Sequence, residues 1–149
     1  MTESASTMPS NSVLEDLAKH ARLCLLQTND AYKVLEKIAV LHVSDRALVY
    51  WWQGLHNVQA RLSYGTASTD GLDLLSEQLE KLDSEEIYLV ATDDQLAPWP
   101  VFVCCRHDVR GVLADMPFFE YFISTMDCSV LIFDTHHNEL VLSIAKKFD

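Results

Sequence analysis

The sequence predicts an α+β domain in which N-terminal helices pack on one face of a mostly antiparallel sheet of five or six strands. Three observations carry this reading. Apolar residues recur at three- and four-residue steps through the first third of the chain, and short β-branched or aromatic runs dominate the remaining two-thirds. The last three runs are joined by connections too short for a crossover helix, so they form antiparallel hairpins. A chain of 149 residues with 49% apolar side chains can also build a real core, since folding at this size buries about two-thirds of the extended surface.

Residues 1–10 read as a disordered lead-in, and residues 11–149 as a single domain. Ser12 followed by Glu15 is a capping-box pair, and Val13, Leu14, Leu17, Ala21, Cys24 and Leu25 continue at helical spacing. The polar cluster Gln27 to Asp30 interrupts the period before Ala31, Val34, Leu35, Ile38 and Leu41 resume it, which fits two antiparallel helices or one kinked helix. Ser44 and Asp45 can cap a short helix running through Trp52.

Asn57 to Tyr64 alternates polar and apolar as a half-buried strand does. After the turn chemistry of Gly65 to Gly71, Leu72, Leu74, Leu75, Leu79 and Leu82 make the apolar stripe of a helix whose other face is acidic. Next come a strand over Glu86 to Thr92, a proline-punctuated loop to Pro100 and a strand over Val101 to Cys105. Asp108 to Met116 forms a short helix, and Phe119 to Ser124, Ser129 to Phe133 and Glu139 to Ala145 close the chain as a meander.

The net charge of -11 speaks against a nucleic-acid partner, because gripping phosphates relies on Lys and Arg displacing counterions. No apolar run reaches the length of a membrane helix, and the N-terminal residues lack the basic and apolar blocks of a secretory signal, so a cytoplasmic protein is expected. Cys24, Cys104, Cys105 and Cys128 show no C-x-x-C spacing, which suits buried thiols better than a zinc clamp or a disulfide framework.

Two clusters are candidates for chemistry. Asp134, His136, His137 and Glu139 place imidazoles between carboxylates, as a metal-assisted hydrolase would need, but neighbouring His side chains in a turn diverge and no third ligand stands at helical spacing. Cys104 and Cys105 beside His107 could pair a thiol with a base, although strand cysteines of this kind usually serve packing. Four glycines and no phosphate-loop motif argue against nucleotide binding, and no cofactor or metal is expected.

The acidic charge is lopsided. From Ser76 onward there are fourteen acidic and five basic residues, and Ser76 to Asp94 holds seven acids against Lys81 alone. Such a segment is either a solvated face or a surface that steers a basic partner into contact. Trp99, in the proline frame after Asp94, is the kind of aromatic that anchors interfaces. Asp83, Glu85, Glu86, Asp93, Asp94 and Trp99 are therefore the expected partner-binding residues.

Tyr50-Trp51-Trp52-Gln53-Gly54-Leu55, then Glu86 to Asp94 with Trp99-Pro100-Val101-Phe102, then Phe119 to Ile123 and Leu131 to Asn138 resemble small bacterial proteins grouped with the immunity proteins of polymorphic toxin systems. The likeness spans about residues 49–142, and it departs at Cys128-Ser129-Val130, where those proteins tend to carry an aromatic. The resemblance implies a non-enzymatic protein that binds and neutralises a cognate toxin. Many toxins of this kind act on nucleic acid and are basic, which agrees with an acidic inhibitor. A regulatory interaction module with another partner is the remaining alternative.

Overall fold

The computed structural model describes residues 15–43, 54–55, 58–65, 70–92, 99–116, 119–135 and 139–145. The lead-in, Ser12, the Ser44 to Trp52 segment, Asp93, Asp94, His136 and His137 lie outside them.

Among the described residues seven strands form one sheet in the order β1-β4-β3-β5-β6-β7-β2. They are β1 (Cys24–Leu25), β2 (Val58–Ser63), β3 (Glu86–Ala91), β4 (Val101–Cys105), β5 (Tyr121–Thr125), β6 (Val130–Asp134) and β7 (Glu139–Ile144). Every neighbouring pair is antiparallel. The helices are α1 (residues 15–19), α2 (Thr28–His42), α3 (Asp70–Glu80) and α4 (Val109–Asp115), the last entered through a 3-10 turn at Arg106–Asp108.

Helices cover both faces of the sheet, which corrects the expectation of helices on one face. Leu17 of α1, Leu75 and Leu79 of α3, and Val109 and Val112 of α4 pack against Ile87, Leu89, Phe102, Ile123, Ile132 and Leu140. On the opposite side Ala31, Leu35, Ile38 and Ala39 of α2 meet Val90, Val101, Phe122, Leu131, Phe133 and Val141. Strands buried on both sides carry continuous apolar runs instead of alternation, and the central β5 is buried along its whole length.

The switch of face happens at β1. Residues expected to end the first helix, Cys24 and Leu25, are instead extended and pair with Val103 and Phe102 at the sheet edge. α1 ends in turns where His20 N–H donates to the Leu17 carbonyl and Leu23 N–H to the His20 carbonyl. The chain then passes along the edge and α2 starts on the far face, so α1 and α2 form neither a helical hairpin nor a kinked helix. Two paired residues are too few to leave a period in the sequence, which is why the sheet has seven strands among the described residues where five or six were expected.

Candidate functional site

The connection between α3 and β3 brings Asp83, Glu85 and Glu86 to one end of the sheet, all exposed. α3 has no basic residue in its last turn, so its C-terminal carbonyls and the negative end of its dipole need a cation from elsewhere. Arg106 supplies it. Its Nη1 donates to the Leu82 carbonyl and reaches the carbonyls of Leu79 and Glu80 at 3.4 and 3.5 Å. Its Nη2 lies 3.7 Å from Glu85 Oε1, and the Arg106 N–H donates to the Glu85 carbonyl at 2.9 Å. Glu85 therefore leans on a charge that is itself largely buried, while its own carboxylate is 76% exposed.

A groove of about 440 Å³ opens beside Asp83, while Glu86, in step with Tyr88 and Val90, falls on the opposite face of the sheet. The Lys81 to Ser84 connection forms one wall, Thr125, Val130 and Ile144 lie under it, and the β5–β6 turn closes the other side with Met126 and Asp127. The groove exists because α3 ends at Glu80 while the sheet continues, leaving Val130 and its cross-strand partner Ile144 with incomplete cover. Met126 and Ile144 are 37% and 39% exposed.

The β5–β6 turn is held from within. Asp127 Oδ1 accepts from Thr125 Oγ1 at 2.7 Å, from Ser129 N–H at 3.0 Å and from Ser129 Oγ at 2.6 Å. Cys128 takes a left-handed backbone with φ 63°, a conformation that costs a side-chain-bearing residue energy and needs support from its surroundings. That support includes the buried His42 at the end of α2, whose Nε2 donates to the Cys128 carbonyl at 2.7 Å.

Trp99 is not part of this surface. Glu86 pairs with Cys105 at one end of β3, whereas Val90 pairs with Val101 at the other. Trp99 precedes Val101, so at about 3.4 Å per strand residue it stands about 20 Å from Glu86. Its ring meets Phe122 edge-on at 6.3 Å and packs into the α2 side of the core. The antiparallel return of the chain thus separates Trp99 from Asp83, Glu85 and Glu86, while Asp93 and Asp94 lie outside the described residues.

The other two clusters are engaged structurally where described. Asp134 accepts hydrogen bonds from Tyr64 Oη at 2.8 Å and Tyr121 Oη at 3.2 Å. Glu139 pairs with Arg61 at 3.3 Å. Asp134 follows Phe133 of the α2-side core and Glu139 lies two residues from Val141 of that same core, so strand alternation sends their side chains to opposite faces. They do not converge on one ion.

Cys104 is buried in the α3-side core, donates to the Cys105 carbonyl at 3.2 Å, and has its thiol pushed up to about 11, first by burial and then by Asp108. His107 faces Glu80 at 3.7 Å. A nucleophile needs a thiolate, and burial here works against one.

No family model matches this chain, and no curated protein or solved structure does either. Among the described residues no helix is long and apolar enough to cross a membrane.

Proposed function

We propose that this chain is a non-enzymatic cytoplasmic protein that binds and neutralises a basic bacterial toxin, with Asp83, Glu85 and Glu86 as the contact acids. The observation that carries the reading is their exposure at a single end of the sheet, Asp83 and Glu85 on the α3–β3 connection and Glu86 at the first position of β3, with Asp83 on the wall of the neighbouring groove. A chain of net charge -11 attracts a basic protein over distances of about a Debye length, roughly 8 to 10 Å at ordinary salt. On contact, carboxylates can take the Lys and Arg groups that a nucleic-acid-directed toxin uses for phosphate. The resemblance to immunity proteins of polymorphic toxin systems supports the same class of partner.

The test is to co-purify the protein with the product of the adjacent upstream gene and to measure that product's toxicity with and without it. Co-elution with loss of toxicity is expected. Separate elution with toxicity unchanged overturns the proposal and leaves a regulatory module with a different partner.

A further inference from the structure

We draw no further inference here: the strongest candidate, the groove between the α3–β3 connection and the β5–β6 turn, sets Lys81 against Asp83 and an Asp127 already bonded by Thr125 and Ser129, so nothing in the structure shows what covers it.

Discussion

His42 Nδ1 lies 2.8 Å from Ser143 Oγ although 101 residues separate them, and both side chains are fully buried. A carbonyl can only accept, so the bond to Cys128 O places the proton on Nε2, and in the neutral ring Nδ1 accepts from the Ser143 hydroxyl. One imidazole thus ties the end of α2 to β7 and to the β5–β6 turn. His42→Ala leaves a buried hydroxyl and a buried carbonyl without this partner and opens a cavity, so a loss of about 2 to 4 kcal/mol is expected in urea denaturation. Ser143→Ala should cost less, about 1 kcal/mol, and the double variant should fall short of the sum because the two groups share a bond.

Asp134 holds the two phenols of Tyr64 and Tyr121 on the α3 side of the sheet, joining the residue that follows β2 to β5 and β6. Tyr64→Phe and Tyr121→Phe should each cost about 1 kcal/mol, and Asp134→Ala about 2 kcal/mol or more, because it leaves both hydroxyls without their acceptor. A role for Asp134 in holding a metal makes a different prediction. The loss in Asp134→Asn should be the same with chelator or with added zinc, and a metal-dependent difference in the denaturation midpoint would revive the hydrolase reading.

Much of the fold was legible because its strands are short, apolar and separated by turn residues: β2 through β7 all fall where Val, Ile, Leu, Phe and Tyr cluster. The distribution of helices over two faces was not. Leu17 and Ile38 are equally apolar and equally buried, and nothing in their spacing says which side of a sheet each will meet. The site was half legible for a related reason. Asp83, Glu85 and Glu86 are neighbours in sequence and stay at one end of the sheet, but the groove beside Asp83 joins residues 81–84, 125–127, 129–130 and 144–145, which only strand pairing brings together. His42 gave no signal beyond one polar residue at the end of an apolar stripe.

The alkaline limb of stability should report the buried ionisable groups. Cys104 has a thiol raised from 9.0 to about 11, chiefly by burial, and Tyr64 and Tyr121 are raised above 10.0, again first by burial and then by Asp134. Groups raised in the folded state favour folding fully below their unfolded values and lose that contribution as pH climbs through the folded ones. The urea midpoint is therefore expected to show no loss from these groups up to about pH 9, to fall between pH 9 and 11 as Cys104 is drawn into ionisation, and to fall further above pH 10 with the phenols. Cys104→Ala should lessen the first part of that decline, and the Cys128 thiol, also raised by burial, should supply what is left of it. At pH 8, alkylation should label the exposed Cys24 well before Cys104.

Charge reversal and aromatic truncation separate the surface from the core. Asp83 and Glu86 are exposed, so Asp83→Lys and Glu86→Lys should leave stability within about 0.5 kcal/mol of the parent. Their effect belongs in association with the basic partner, as a slower on-rate whose difference from the parent shrinks as salt rises. Trp99→Ala removes a ring packed edge-on against Phe122 and should instead cost about 2 to 3 kcal/mol in denaturation. Because Trp99 stands at the far end of β3 from the acids, its loss should change the on-rate little once the comparison is made on folded protein. A Trp99→Ala variant that keeps its stability but loses partner binding would place the contact surface at the opposite end of the sheet.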